Sequence, residues 1–239
     1  MIEKTINYIW LGGKRKSALV NICINSWKEK LPDYKIVEWN ESNINLNKIC
    51  NENRYIKECV KRKLWAYVAD YIRFMILYEH GGIYLDTDEQ VLKSFTPLLN
   101  QEAFICMQSG GDYSAGVIGA EKGNIVMKEL LDFYQDDIWN SNFYTINAII
   151  KAVLQKNENL LNHIQVYPRN YFDPIRYPYG YREEDITEST YAIHWYNASW
   201  TNSKQVKLFL QTKHIKHPLK KGIIYIKKVL SYYYHKKRR

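Results

Sequence analysis

The residues with the clearest chemical potential are Asp86 and Asp88, two carboxylates that stand one residue apart directly after the apolar run 83–85. Carboxylate oxygens at this spacing bind a hard divalent cation such as Mn²⁺ or Mg²⁺ and leave coordination positions open for diphosphate oxygens. A cation held there would neutralise the charge of a departing diphosphate. A D-x-D motif alone is weak evidence, because solvated turns carry it by chance. Its weight depends on the elements around it.

A second pair of charged residues lies in the otherwise apolar and aromatic segment just upstream. Asp70 and Arg73 are three residues apart, so a helix would place them side by side. A surface ion pair is the simpler interpretation. The apolar neighbours favour a pair that is buried and that needs further partners.

Two more candidate side chains stand at the ends of predicted strands. A lone histidine in an apolar strand is more often a satisfied core residue than a ligand, but His194 ends its strand and precedes a polar turn, which favours a ligand. Trp10 also ends a strand, before Gly12 and Gly13. An indole at such a position can stack on a base.

The D-x-D motif is positioned by a predicted helix and strand. Gly81 and Gly82 end the helix, and the β-rich run 83–85 then delivers Asp86 where the chain leaves a sheet. Open α/β sheets bind ligands beyond the carboxyl ends of their strands, so the carboxylates are expected in a cleft. The helix is predicted from apolar residues at spacings of three and four: Trp65, Val68, Ile72 and Met75.

Strands and helices alternate from the start of the chain. This succession predicts an α/β fold built on a parallel sheet with right-handed crossovers. The predicted elements before the D-x-D are a strand at 6–11, a helix from Ser17 to about residue 30, a strand at 34–39, and a polar connection at 40–53 with one helical turn. Those after it are an extended segment at 90–94, strands at 103–107, 113–120 and 191–196, and helices at about 124–134 and 143–154.

Composition and charge narrow the class of protein. The 239 residues, 46% of them hydrophobic, are enough for one α/β domain with a full core. The net charge of +9 would suggest a nucleic-acid partner, but twelve basic and no acidic residues follow Glu188, so the first 188 residues carry a net charge of −3. We therefore expect no nucleic-acid binding. Four cysteines without metal-finger spacing, and no signal peptide or membrane span, predict reduced thiols in a cytoplasmic protein.

The basic C-terminal segment 218–239 is predicted to be a helical appendage to a domain that comprises residues 1–217. Its apolar residues share one helical face (Leu219, Ile223, Ile226, Leu230 and Tyr233), and lysines lie at the sides and back (Lys220, Lys221, Lys227 and Lys228). The pattern fits a helix packed on the domain and a helix adsorbed to an anionic membrane surface equally well. The second interpretation predicts a peripheral protein on the inner face of a bacterial cell membrane.

Several motifs together resemble family 32 glycosyltransferases, the sugar transferases of capsular-polysaccharide type with a D-x-D sugar-binding region. They cover about residues 1–200 and follow one another in the family's order. The motifs are 8–13 (Tyr-Ile-Trp-Leu-Gly-Gly), Ser26-Trp27 with 31–34, Trp39-Asn40, Asp70-Tyr71-x-Arg73, 81–88, 192–194 and Ser199-Trp200.

The resemblance implies a GT-A fold, that is, a Rossmann-like nucleotide-sugar-binding domain with a mixed, mostly parallel sheet. It also implies a nucleotide-sugar donor, a saccharide acceptor, a divalent metal (Mn²⁺ or Mg²⁺) and retention of the anomeric configuration. Carried over to this chain, Asp88 is the principal metal ligand, Asp86 serves ribose, sugar or metal, and His194 is a further metal ligand. Many relatives have a second histidine where this chain has Trp195.

The resemblance also implies a donor site. Asp70 and Arg73 would hold the donor sugar and its diphosphate, with Arg73 acting in catalysis beside Asp86 and Asp88. Trp10 would lie against the base, and the turn containing Ser199 and Trp200 would close on metal and diphosphate. The sugar pocket is expected around Ser114, Ala115 and Gly116.

The donor is expected to be a UDP-sugar rather than a GDP-sugar, and the acceptor a lipid-linked saccharide in surface or capsular polysaccharide synthesis. Two alternatives remain at this point. A phosphatase of the haloacid dehalogenase type also places a D-x-D after an apolar strand, but that strand would be first in its domain, and Thr or Val would replace Gln90. A non-enzymatic membrane-binding module would leave Asp70, Arg73 and the D-x-D unexplained.

Overall fold

The computed structural model describes residues 1–108, 110–175, 180–197 and 209–217, together with 219, 220, 223, 226 and 227. The strands are β1 (Thr5–Ile9), β2 (Lys35–Trp39), β3 (Gly82–Leu85), β4 (Glu89–Val91), β5 (Ala103–Met107), β6 (Tyr113–Ala120), β7 (Gln165–Tyr167) and β8 (Ala192–His194). The α-helices are α1 (Ala18–Lys30), α2 (Leu46–Glu52), α3 (Arg54–Lys61), α4 (Trp65–His80), α5 (Ile125–Asp132) and α6 (Ile146–Lys156). A π-helical turn, Phe133–Asp137, extends α5.

Six strands form the main sheet in the order β2-β1-β3-β6-β5-β7. β1 runs parallel to both β2 and β3, which confirms the parallel sheet predicted for the first half of the chain. β6 enters between β3 and β5 and is antiparallel to both, while β7 runs parallel to β5. The sheet is therefore mixed and mostly parallel. It carries the D-x-D motif where β3 ends, near its centre.

Helix α4 confirms the prediction made from its apolar spacing. It ends at Gly81 and Gly82, whose φ angles of 72° and 93° lie in the left-handed region that favours glycine. A Cβ atom on Gly82 would stand 2.6 Å from the carbonyl oxygen of Thr5 in the neighbouring strand. The glycine pair thus lets the chain reverse sharply from α4 into β3 and lets β3 pair closely with β1.

Two apolar clusters cover opposite faces of the sheet, because successive strand side chains point to opposite sides. Tyr84 of β3 belongs to the cluster that contains α3, α4, α5 and α6. Ile83 and Leu85 belong to the other cluster, which contains α1, β4 and β8. The D-x-D follows at the boundary between these two faces, so groups from both sides reach it.

The structure differs from the sequence-based prediction in the strand near the end of the described chain and in the connection before α3. The predicted strand 191–196 is shorter (Ala192–His194) and does not join the main sheet. It pairs antiparallel with β4 in a separate two-stranded ribbon, with Glu89 opposite His194.

Residues 40–53, predicted as a polar connection with one helical turn, contain the seven-residue helix α2, and α3 follows it directly. The physical reason is capping, because the side chains of Asn45 and Asn53 accept hydrogen bonds from the first turns of these two helices.

The C-terminal segment is described only in part. Within residues 209–217, the Lys213 ammonium group donates hydrogen bonds to the carbonyl oxygens of Ile138 and Ser141. Leu219, Ile223 and Ile226 lie in helical conformation and are 71%, 53% and 58% exposed. The division at residue 217/218 stays a prediction. Among the described residues, none of the helices combines the length and apolar character that a membrane crossing requires.

Candidate active site

Backbone hydrogen bonds shape the D-x-D into a tight turn between the main sheet and the ribbon. The Asp86 N–H donates to the Gly116 carbonyl oxygen at 2.8 Å, which extends the pairing of β3 with β6 by one residue. The Glu89 N–H donates to the Asp86 carbonyl oxygen at 3.0 Å and closes the turn before β4. The side chains of Asp86 and Asp88 keep 28% and 17% exposure. Both carboxylates can therefore reach a ligand from solvent.

Asp86 is held from the α4 face of the sheet. The Tyr84 hydroxyl donates to Asp86 Oδ1 at 2.8 Å, and Arg73 Nη1 lies 3.3 Å from the same oxygen. Arg73 also donates to the Ala115 carbonyl oxygen at 2.7 Å and to Asp70 Oδ1 at 2.9 Å. Its guanidinium stacks over the Tyr84 ring, 4.4 Å from the ring centroid. The predicted buried ion pair is thus present, and it fixes the first carboxylate of the motif.

Burial acts differently on the two members of this pair, since it sets the direction of the pKa shift of Asp70, whereas Asp86 and the other anionic neighbours outweigh it and raise the pKa of Arg73. Burial raises the pKa of Asp70 to about 7, although the neighbouring Arg73 acts in the opposite direction. Arg73 is 5% exposed, and its Nε has no hydrogen-bond partner within the part of the chain that the structure describes. Both side chains lie beneath Asp86 rather than beside open solvent. Their predicted contact with donor sugar and diphosphate stays a prediction.

Asp88 is held from the ribbon. The backbone N–H of Asn197 donates to Asp88 Oδ2 at 2.8 Å, and His194 Nε2 lies 3.6 Å from Oδ1. Burial opposes protonation of His194, but Glu89 and Asp88 outweigh it and raise the pKa to about 10. Burial likewise favours neutral Asp88, yet the His194 interaction outweighs it and lowers the pKa of this carboxyl. The two groups therefore stabilise each other's charged forms.

Asp86, Asp88 and His194 form a group that fits a divalent cation. One ligand atom from each lies within 4.8 Å of the others. Two carboxylate oxygens and one imidazole nitrogen form a donor set that suits Mn²⁺, and the oxygens suit Mg²⁺. The resemblance predicted these three residues as metal ligands. The structure places them together although His194 is more than a hundred residues from the motif.

Three residues behind this group were missed in the sequence. Glu89 is fully buried, and burial raises its pKa well above the usual range. Asp173 is also fully buried, and burial raises its pKa to about 6. The Tyr196 hydroxyl donates to Asp173 Oδ1 at 2.6 Å, and its ring stacks on His194 with centroids 4.1 Å apart. A carboxylate directly after the D-x-D, in a strand, was the available signal for Glu89.

Trp10 lies at the same edge of the sheet. Asn7 of β1 pairs with Tyr84 of β3, and the two strands run parallel, so Trp10 and Thr87 both follow three residues later. The Trp10 indole N–H donates to the Lys14 carbonyl oxygen at 2.7 Å, which holds the ring in the loop after β1. Its stacking on a base stays a prediction.

The predicted sugar-pocket residues lie beside the motif but are buried. Ser114 is 3% and Ala115 5% exposed. Their strand, β6, contributes two carbonyl oxygens, from Ala115 to Arg73 and from Gly116 to the Asp86 N–H. Their role in sugar selection stays a prediction. Ser199 and Trp200 lie outside the described residues.

Comparisons with known proteins agree with this geometry. Residues 17–105 match the sequence family described as "Glycosyltransferase sugar-binding region containing DXD motif". An inositol phosphoceramide mannosyltransferase from Schizosaccharomyces pombe is 30% identical over 93 residues, which is 39% of this chain and 26% of that protein. The chain therefore spans about a quarter of that relative's length. An uncharacterized glycosyltransferase of Acanthamoeba polyphaga mimivirus is 26% identical over 234 residues, covering 90% of each chain.

The fold has counterparts among solved structures. The PaToxG glycosyltransferase superposes with a TM-score of 0.51 at 17% identity, over 67% of this chain and 73% of that one. At this identity the likeness concerns the fold alone, which is GT-A, as predicted.

The D-x-D follows the third strand of the chain, whereas the phosphatase alternative requires it after the first strand. Residues 17–105 are thus similar to the D-x-D sugar-binding region of glycosyltransferases, and the chain has the GT-A fold.

Proposed function

We propose that the protein transfers a sugar from a nucleotide-sugar donor, first among them a UDP-sugar, to a lipid-linked saccharide in surface or capsular polysaccharide synthesis. The observation that carries the proposal is the group of Asp86, Asp88 and His194 at the sheet edge where Trp10 also lies. Asp88, with Asp86 and His194, would hold Mn²⁺ or Mg²⁺. A bound cation supplies positive charge that stabilises the leaving diphosphate.

The remaining site residues would orient the donor. Trp10 would stack on the base, and Arg73, with Asp70, would fix Asp86 towards the sugar and diphosphate. The neighbouring β6 residues, Ser114 to Gly116, would limit the shape of the sugar pocket. We further propose that the acceptor hydroxyl attacks from the face on which the diphosphate leaves, with the leaving phosphate assisting the hydroxyl. The transfer would then retain the anomeric configuration.

A lipid-linked acceptor is supported by the C-terminal segment. Leu219, Ile223 and Ile226 are spaced for one helical face and are more than half exposed, with Lys220 and Lys227 exposed near them. Each lysine near an anionic leaflet contributes about 1 kcal/mol of attraction. The name of the S. pombe relative also specifies an acceptor that is a lipid. We propose that residues 218–239 bind the enzyme to the cytoplasmic face of a bacterial membrane.

Donor hydrolysis tests the central part of the proposal. The protein, stripped with EDTA, is incubated with separate UDP-hexoses, UDP-N-acetylhexosamines and GDP-mannose, with and without Mn²⁺ or Mg²⁺, and the released nucleotide is measured. We expect cation-dependent release from one UDP-sugar, and NMR of the transferred sugar should show the donor's anomeric configuration. Release of nucleotide from GDP-mannose alone would show that the donor is a GDP-sugar and not a UDP-sugar. Release that does not depend on the cation would contradict the metal role.

A truncation ending at His217 tests the membrane part separately. We expect the shortened protein to stay folded and to hydrolyse donor normally, yet to stop pelleting with vesicles that contain anionic lipid. The full chain with neutral vesicles is the control for non-specific pelleting. Unfolding of the truncated protein would show that the segment belongs to the core, and unchanged pelleting would place the membrane contact elsewhere.

A further inference from the structure

Glu89 is a fully buried carboxylate without a visible structural purpose. It is 0% exposed, and within the described part of the chain no group donates a hydrogen bond to either of its side-chain oxygens. A buried carboxyl without such bonds destabilises a fold, and an apolar side chain would serve this strand position better. Its presence next to Asp88 therefore points to a function in the site.

The backbone of Glu89 is held firmly from helix α1. The Trp27 indole N–H donates to the Glu89 carbonyl oxygen at 2.7 Å. Two residues on, the Val91 N–H donates to the Ser26 hydroxyl oxygen at 2.9 Å. These bonds fix strand β4 against α1, so the direction of the Glu89 side chain is set by the fold.

That direction is towards His194. Glu89 Oε1 lies 3.7 Å from His194 Nδ1, and among the described residues Nδ1 also has no hydrogen-bond partner. The other ring nitrogen, Nε2, lies 3.6 Å from Asp88 Oδ1. The imidazole thus stands between the two carboxylates, with one nitrogen facing each. A closure of less than about 1 Å would bring Nδ1 and Oε1 into hydrogen-bond distance.

The ring is also confined from its face. Tyr196 stacks on His194 and is anchored by its hydroxyl to Asp173. Its φ of 50° is a left-handed conformation that is uncommon for a non-glycine residue. A Cβ atom on Gly116 would stand 2.1 Å from the same Oε1 of Glu89, so a glycine is needed there to leave room for the carboxylate.

We propose that Glu89 is a positioning residue that accepts the Nδ1–H of His194 and so presents the Nε2 lone pair to the cation. A cation that binds at Nε2 displaces the proton there, and a carboxylate bonded to Nδ1–H then holds the remaining proton and fixes the ring plane. Glu89 itself does not touch donor or acceptor. The inference rests on the cation site proposed for Asp86, Asp88 and His194.

Binding of Mn²⁺ alone, without any sugar nucleotide, tests this role. Free Mn²⁺ is measured by electron paramagnetic resonance during titration of the full-length protein. Replacement of an outer carboxylate partner commonly weakens metal affinity about 10- to 100-fold, which is the expectation for Glu89→Leu, with a smaller loss for Glu89→Gln. Glu79→Gln, an exposed carboxylate at the end of α4, is the matched control and should bind as the wild type does.

A spectroscopic readout separates orientation from simple loss of charge. Electron spin echo modulation of bound Mn²⁺ reports a directly coordinated imidazole nitrogen, and His194→Ala supplies the reference without it. We expect Glu89→Leu to lose this nitrogen signal. Gly116→Ala retains the charge of Glu89 but displaces its carboxylate, so it should also reduce the signal. Circular dichroism and thermal melting confirm that each variant is folded, and Glu89→Gln supplies the milder replacement if Glu89→Leu does not fold.

The outcomes distinguish this inference from the proposal beneath it. A wild-type protein that binds no Mn²⁺, or that binds it as Asp88→Asn does, overturns the cation site and this role together. Wild-type binding that Asp88→Asn removes, with unchanged affinity and nitrogen signal in folded Glu89→Leu and Glu89→Gln, overturns the role of Glu89 alone.

Discussion

Asp86 and Asp88 stand one residue apart, yet the two faces of the sheet hold them in opposite ways. On the α4 face, Tyr84 and Arg73 both contact Asp86, and Arg73 is in turn bonded to Asp70. On the ribbon face, Asp88 accepts one backbone N–H and faces His194 at 3.6 Å. Behind it lies Glu89, whose side-chain oxygens have no hydrogen-bond partner in the described part of the chain.

The difference separates a structural half of the site from a binding half. The charges on the α4 face are paired with each other, so their removal should first reduce folding stability. On the ribbon face, the described carboxylates outnumber the histidine beside them. A cation bound there would therefore be stabilised more than a cation bound on the α4 face. Substitutions on the two faces should therefore affect different measurements, and the following experiments test that division.

The largest effect is expected from Asp88→Asn, which removes charge from the binding half while preserving shape. Sugar transfer and cation-dependent donor hydrolysis should fall by more than the roughly 100-fold that loss of an outer-shell partner produces. The melting temperature should change by less than about 4 °C, which corresponds to under about 1 kcal/mol. Asp33→Asn, an exposed partner of Lys4 at the opposite edge of the sheet, is the matched control. Near wild-type turnover of Asp88→Asn in excess Mn²⁺ would refute the metal assignment.

A matched pair of leucine substitutions should shift stability in opposite directions. Asp70→Leu leaves the buried Arg73 short of a partner, so the free energy of unfolding should fall by about 3 kcal/mol. Glu89→Leu removes a buried carboxyl that has no hydrogen bond among the described residues, so the free energy of unfolding should rise by about 1 kcal/mol. Urea unfolding monitored by tryptophan fluorescence measures both values. A loss of similar size in both variants would show that the two faces are equally structural.

Arg73→Lys should act on both halves, because Arg73 holds Asp86 for the binding site. An ammonium group cannot reproduce the forked bonds to Asp70, Ala115 and Asp86. We expect the free energy of unfolding to fall by about 2 kcal/mol, and transfer to fall about 10- to 100-fold as Asp86 loses its position. Arg182→Lys, an exposed arginine paired with Glu184, should change neither. Full activity in Arg73→Lys would reduce Arg73 to an ion-pair partner.

The smallest effect is expected at Trp10, which packs against the apolar cluster that contains α1, β4 and β8. Trp10→Ala should raise the KM for the nucleotide sugar about 2- to 10-fold, the equivalent of one aromatic stacking contact. The kcat should change less, since the ring does not touch the reacting atoms. Trp10→Phe retains a stacking surface, so its KM should lie between those of the wild type and Trp10→Ala. Initial rates over a range of donor concentrations give both constants, and an unchanged KM would separate Trp10 from the base.

Local patterns in the sequence determined much of this molecule. The helix that ends at Gly81, the strand that follows it, and the placement of Asp86 and Asp88 at that strand's end all come from spacing over a few residues. Asp70 and Arg73 were recognisable as a buried pair for the same reason. Charges three residues apart lie side by side on a helix, and apolar neighbours on that helix keep water away from them. These features depend on contacts within one helix or one turn.

Tertiary structure decided the rest, because strand pairing between distant segments leaves no local periodicity. Nothing near His194 indicates that β8 leaves the main sheet and pairs with β4, which is what brings this histidine to Asp88. The same register places Glu89 opposite His194 and makes this carboxylate a buried neighbour of the site. The antiparallel entry of β6 beside β3 likewise places Gly116 where only a glycine leaves room for the Glu89 carboxylate.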